Sequence, residues 1–209
     1  MAQIKLNATY GLTGTLPAVS GANLTTLNAT NISSGTLNAA RYSATYGVDV
    51  ADHYYLASST SGGTAGTVAD SNGAGGGAWT KHHAQFSDTT SVTTGSGGGV
   101  FSFPKIGFYM ILGSLSFYSD TADNDWSWYI EYTNNDFSSH TDIGYSRVSV
   151  QGSNPNNYIQ NANHYMLDVT NITNDKFRLE LGSVASGNYV YGTNAKLSTT
   201  LQIYRMGDT

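Results

Sequence analysis

Between residues 100 and 205 the apolar side chains fall at every second position. Trp126, Trp128, Ile130 and Tyr132 alternate with Ser127, Tyr129 and Glu131; Phe177, Leu179 and Leu181 with Arg178 and Glu180; Leu201 and Ile203 with Gln202 and Tyr204. A period of two is that of a strand with one buried face. Phe108 to Tyr118 is apolar at most positions, which predicts a strand buried on both faces. Turn formers separate the runs: Asp120 to Asp125, Gly152 to Asn157 and Asn171 to Asp175. No long window carries a helical period, so the region is predicted to be all-β, an antiparallel sandwich or barrel.

The first third of the chain is patterned differently. Leu12, Leu16, Leu24, Leu27, Ile32 and Leu37 are sparse apolar pegs among small polar residues. Leu6-Asn7-Ala8-Thr9 returns as Leu27-Asn28-Ala29-Thr30, and Gly14-Thr15-Leu16 as Gly35-Thr36-Leu37, both at an offset of 21 residues. Units this short must stack on neighbours or on other chains to bury anything. Three chains wound around one axis would supply such a narrow core, whereas a plain linker has no need of repeated Leu. Residues 1–57 are therefore expected to form an attachment segment and a fibrous trimeric shaft. Residues 58–77 hold seven Gly between Gly62 and Gly77 and read as a neck. The run Gly73 to Gly77 is not a phosphate loop, because no Lys-Ser or Lys-Thr follows it. Every Trp and Phe lies beyond Gly77, so residues 78–209 are expected to be the folded head.

Composition narrows the functions. Charged residues make up 11% of the chain and aromatics 12%, against a usual charged share of about 25%, which speaks for a folded chain. Nine basic residues against fourteen acidic ones, a net charge of −5, argue against a nucleic-acid partner. With no Cys there is no disulfide, thiol nucleophile or Cys-held zinc. No apolar run suits a membrane helix, and Met1 to Tyr10 lacks the apolar core of a secretory signal. The expectation is a chain made without a signal peptide and without membrane insertion.

Val100-Phe101-Ser102-Phe103-Pro104-Lys105-Ile106-Gly107-Phe108-Tyr109 resembles the signature of the C1q and tumour-necrosis-factor superfamily. There an aromatic strand is followed by Pro, two residues, Gly, one residue and Tyr, opening a long buried strand. Asp175 to Leu181 resembles the family's acidic turn and penultimate strand, and Leu197 to Tyr204 its closing strand. The sequence departs from the pattern at Leu197-Ser198-Thr199-Thr200, where Phe-Ser-Gly-Phe is usual, and no collagen period precedes the head. Leu12 to Pro17, Gly21 to Leu24 and Ser34 to Tyr42 instead resemble repeats of bacteriophage tail-fibre shafts. The two resemblances imply a homotrimer with a fibrous shaft and a C1q/TNF-like jelly-roll head. They further imply a virion tail fibre that docks on a baseplate or tail protein through its N-terminus and binds a host surface glycan or protein through its head. A virion decoration or joint protein with no receptor role, or a small glycan-degrading enzyme, are the alternatives.

The segments 120–125, 154–157 and 186–191 have the Tyr, Ser, Gly and Asn make-up that suits recognition. They nominate Asp120, Asp123, Asn124, Asp125, Asn154, Asn156, Asn157 and Tyr189 as receptor-binding candidates. Asp120, Asp123 and Asp125 could hold Ca²⁺, but their spacing is not that of an EF-hand, and a solvated acidic turn is the simpler reading. His82 and His83 point to opposite faces of a strand, and His53, His140 and His164 have no partner at ligand spacing. The carboxylates Glu131, Asp142, Asp168 and Glu180 are not paired by the sequence, and no Gly-x-Ser-x-Gly nucleophile elbow occurs. No catalytic residue, metal or cofactor is expected.

Overall fold

The computed structural model describes residues 46–60, 66–68, 79–84, 92–94, 99–119, 123–150, 157–182, 187–193, 195 and 197–209, all within the unit Ser43–Thr209. These form twelve strands: β1 (Tyr46–Leu56), β2 (Gly66–Thr67), β3 (Trp79–Ala84), β4 (Thr93–Thr94), β5 (Val100–Ser102), β6 (Gly107–Ser119), β7 (Asp123–Thr133), β8 (Thr141–Val150), β9 (Asn157–Val169), β10 (Lys176–Leu181), β11 (Asn188–Val190) and β12 (Thr200–Gly207). No helix occurs among the described residues, and every strand pair is antiparallel. One sheet runs β6, β12, β1, β3, with β9 along the other side of β6 and β11 continuing beyond β12. The other runs β4, β5, β10, β7, β8, with β2 also against β10.

The core lies between the two sheets, where the alternation sends every second side chain. Trp126, Trp128 and Ile130 of β7 and Phe177, Leu179 and Leu181 of β10 meet Tyr109, Ile111, Leu115 and Phe117 of β6. Phe101 stacks on Phe177 with centroids 4.9 Å apart, and Phe117 meets Trp126 edge-on at 4.8 Å. Gly113 is a packing requirement, because a Cβ there would stand 3.0 Å from the Trp128 ring. In the Pro104-to-Tyr109 signature, Gly107 has φ +138° and its missing Cβ leaves room for the Gly207 carbonyl. Tyr109 is buried and its hydroxyl donates to the Lys105 carbonyl at 2.9 Å. Burial raises the Tyr109 pKa against the lowering charge of Arg205.

The sandwich begins upstream of residue 78, which corrects the sequence boundary. β1 lies between β12 and β3 and sends Val50, Tyr54 and Leu56 into the core. Its inward row is interrupted by Asp52, which hides the alternation in the sequence. That carboxylate is buried, accepts the Val92 backbone N–H at 2.7 Å and pairs with Lys81 at 2.5 Å. Parts of the expected neck are also anchored. Thr60 exchanges two hydrogen bonds with Val190 (3.0 and 2.9 Å), and Val68 is fully buried with its N–H on Leu179 O. Backbone hydrogen bonds need no large side chain, so a small-residue composition conceals them. β6 departs from expectation in its first half, where Phe108, Met110 and Leu112 face outward and are not buried; only from Leu115 to Ser119 are both faces covered. The 21-residue repeat and the rest of the shaft lie outside the described residues.

Candidate binding surface

The strand register gives the first sheet two distinct ends. Tyr46 pairs with Gly207, Gly207 with Phe108 and Gly107 with Val169, so the chain enters the sandwich at this end. Ser119 pairs with Asn157 on one side and Asn188 on the other, marking the opposite end. The segments 120–122, 151–156 and 183–186 all leave strands at that opposite end. The described strand ends Asp123, Asn157 and Asn188 therefore lie at one end of the sandwich.

Next to the last row stands a row of tyrosines. Tyr118 is the register partner of both Tyr158 and Tyr189, so the three share the outward face of adjacent strands. Tyr118 stacks on Tyr189 (4.7 Å between centroids, 25° between planes) and meets Tyr158 edge-on at 5.0 Å. Tyr191 reaches across Ser116 to Tyr158, edge-on at 5.2 Å. Tyr158 is 56% exposed, whereas Tyr118, wedged between two rings, is 9% exposed. The backbone beneath is fixed: Tyr191 N–H donates to Ser116 O at 2.7 Å, and the Thr199 hydroxyl donates to Tyr191 O while accepting Ser116 N–H. Below the row, Ser119 Oγ donates to Asn188 Oδ1 at 2.8 Å, both buried.

Of the sequence candidates, Tyr189 belongs to this cluster. Asp123, Asn124, Asp125 and Asn157 lie on strand ends at the same end of the sandwich, their side chains outside the described residues. Asp120, Asn154 and Asn156 lie outside the described residues altogether. Tyr118, Tyr158 and Tyr191 were not nominated. The available signal was their regular parity with Tyr189 once three strands are paired, which a single strand pattern does not contain.

A second cluster corrects the expectation that the carboxylates and His140 stand alone. Glu131 and Asp142 are register partners on β7 and β8, and the hairpin between them returns His140 to 3.4 Å from Glu131. Arg178 Nε donates to Glu131 at 2.6 Å and its guanidinium lies 4.6 Å from the Phe137 ring centre. Asp136 and Phe137 take left-handed backbone (φ 57° and 59°), with Phe137 N–H on the Thr133 hydroxyl. Among the described residues, Glu131, His140 and Asp142 are the grouping whose ligand atoms, all within 4.8 Å, could hold a cation. The hollow beside them is about 70 Å³, lined by Tyr132, Thr133 and His140 among others, far below the roughly 300 Å³ at which small-molecule sites begin. Tyr132 donates to Asp175 at 2.9 Å, and burial, then that bond, push its pKa up to about 12.

The outward face of the first sheet is unusually apolar toward the entry end. Phe108, Met110, Leu112, Met166 and Tyr204 share it, Met166 being 60% exposed. A shallow hollow of about 190 Å³ lies in the middle, bordered by Leu112, Ser114, Ala162, His164, Thr200 and Gln202. Among the described residues no helix is long and apolar enough to cross a membrane.

The architecture of two antiparallel sheets in this order is a TNF-like jelly roll. The structure of Eiger TNF from S. frugiperda superposes with a TM-score of 0.55 at 12% identity, covering 78% of this chain and 95% of that one. Murine APRIL, in structures at pH 8.0 and pH 8.5, gives TM-scores of 0.46 and 0.48 at 11% and 10% identity, covering 75% of this chain and 98% of theirs. At 12% identity the likeness to Eiger TNF bears on the fold alone. No protein-family model and no curated protein matches the chain.

Proposed function

We propose that the chain is a homotrimeric bacteriophage tail-fibre protein whose jelly-roll head attaches the virion to the host surface. The observation that carries the reading is the polarity of the head: the chain enters at one end, and the tyrosine row stands at the other, where β6 ends and β9 and β11 begin. A fibre tip needs this arrangement, since the end away from the stalk meets the receptor. The apolar outward face of the first sheet favours assembly, because exposed patches of this kind on soluble domains mark contact surfaces. The residues upstream of the sandwich, with their 21-residue repeat, would supply shaft and docking segment.

Light scattering on the purified chain is the test. A mass near three times 22.2 kDa is expected, and labelled protein should stain the surface of some bacterial strains and not others. A stable monomer at micromolar concentration overturns the reading. A trimer that stains no strain, in a virion whose adsorption survives deletion of the head, would instead favour a joint or decoration protein.

A further inference from the structure

We propose that Tyr158, Tyr189 and Tyr191, held by Tyr118, form a platform that binds a neutral pyranose chain by stacking. The proposal deepens the attachment reading above and rests on it for its biological setting, though not for its chemistry.

Three observations lead to this class of ligand. The first is the geometry of the rings. Tyr118 is stacked on Tyr189 and abutted by Tyr158, so it acts as a wedge that fixes its neighbours and leaves Tyr158 open to solvent. Rings already held in place lose little entropy when a ligand covers them. The C–H face of a pyranose is flat, apolar and slightly positive, and it complements the negative face of an aromatic ring.

The second observation is charge. The three strand segments that carry the platform, residues 114–119, 157–163 and 187–193, contain no Asp, Glu, Lys, Arg or His. A phosphate, sulfate or acidic peptide would find no counter-charge on these strands. A neutral polyol needs none. The groups on offer beside the rings are hydroxyls and amides, among them the phenols and Gln160, whose amide donates to Ser114 Oγ at 2.9 Å. Such groups exchange hydrogen bonds with sugar hydroxyls at little desolvation cost.

The third observation is extent. Tyr158, Tyr118 and Tyr189 sit on three adjacent strands, and strands are spaced about 4.8 Å apart. The row is thus about 10 Å long, room for successive sugars of a chain rather than for a single ring. It also differs from the entry end of the same face, where Phe108, Met110 and Met166 offer phenyl and thioether surface beside Tyr204 and Asp168, suited to another copy of the chain.

The test is calorimetric titration of the full chain with three neutral probes, chitohexaose, cellohexaose and maltohexaose, and with polygalacturonate as an anionic chain. At least one neutral probe is expected to bind with a dissociation constant in the micromolar to millimolar range. Tyr158→Ala should weaken it by about tenfold or more, the loss of one stacking ring, while Tyr158→Phe retains the stack and binds within about threefold. Tyr145→Ala, which removes an exposed ring from the other sheet, should bind as the parent does. The proposal is overturned if none of the neutral chains binds at millimolar concentration, if polygalacturonate alone binds, or if Tyr158→Ala binds unchanged. It is also overturned if Tyr158→Ala changes the mass by light scattering, since the ring would then be a subunit contact. Sugar binding without any cell staining would sink the attachment reading and leave the platform standing. Cell staining that Tyr158→Ala leaves intact would do the reverse.

Discussion

Leu56 decides whether the head begins before or after the Gly-rich segment. It is 1% exposed, is the register partner of Trp79, donates its N–H to Thr199 O at 3.0 Å and accepts Thr193 N–H at 2.9 Å. Leu56→Ala removes buried methyl groups and leaves a cavity that neighbours fixed by these backbone bonds fill poorly, a cost of about 2–5 kcal/mol. For a unit of this size each kcal/mol lowers the melting temperature by about 2–4 °C, so a fall of roughly 4–20 °C is expected. All three Trp lie in the sandwich, so tryptophan fluorescence during heating, at fixed protein concentration, reads this unit and not the N-terminal residues. Val48→Ala on the exposed part of the same strand serves as control and should stay within about 0.5 kcal/mol. If residues 46–57 belonged to a separate shaft, Leu56→Ala would leave the fluorescence transition where it was. A shift no larger than that of the control refutes the placement of β1.

Gly113→Val should destabilise by about 1–3 kcal/mol through overpacking against Trp128, read as a lowered urea midpoint with altered near-ultraviolet dichroism; a neutral result would mean that the ring moves freely. Arg205 is buried, donates to Asp49 at 2.8 Å and to the Ile106 carbonyl at 2.8 Å, and also pairs with Asp208. Arg205→Met should cost about 3 kcal/mol, and an unchanged midpoint would show the pairs to be dispensable. For Tyr132 the folded state holds the phenol proton more tightly than the ordinary tyrosine value of 10. Its stabilising contribution is therefore complete below pH 10 and lost as the pH rises from 10 through about 12. Tyr132→Phe should flatten the fall of the urea midpoint over that window, and an identical fall would count against the assignment.

The strands that could be read from sequence are those whose inward row is purely apolar. β7, β10 and the first half of β12, before the buried Arg205, keep Trp, Ile, Phe and Leu at every second position, and all of these side chains are buried. β1 escaped because Asp52 stands in its inward row, and a buried carboxylate is intelligible only with Lys81 and the Val92 N–H beside it. The Gly-rich stretch misled for a related reason: Thr60 and Val68 are held by partners about 110 to 130 residues away. Turn composition located connections between strands, because turn chemistry is local. The tyrosine row was not legible, because its register depends on pairing β6 with both β9 and β11. The Glu131, His140 and Asp142 grouping was hidden likewise by a hairpin whose left-handed turn at Asp136 and Phe137 no glycine announces.

The placement of charge gives the two ends of the sandwich different roles. Where the chain enters, Arg205 binds Asp49 and Asp208, and Lys105 joins Asp49 at 3.2 Å. On the outer side of the second sheet, Arg178 ties Glu131 with Glu180 nearby, and Lys176 pairs with Asp136. These pairs join separate strands and loops, so they brace the framework. The strand segments that carry the tyrosine row, residues 114–119, 157–163 and 187–193, contain no charged residue, and the carboxylates at this end are Asp123 and Asp125 on the neighbouring end of β7. Covering a charged face requires a partner that repays the desolvation of each ion. A face of phenols, amides and hydroxyls asks much less, because each group can trade a water for a ligand hydroxyl. A chain with 11% charged residues can therefore keep its ion pairs for holding strands together and leave the strands that carry the tyrosine row neutral. A neutral aromatic end distinguishes ligands by the shape and hydroxyl pattern of a sugar face rather than by charge. Binding there should accordingly be almost insensitive to salt, and a steep loss of cell staining between low and high salt would contradict the reading.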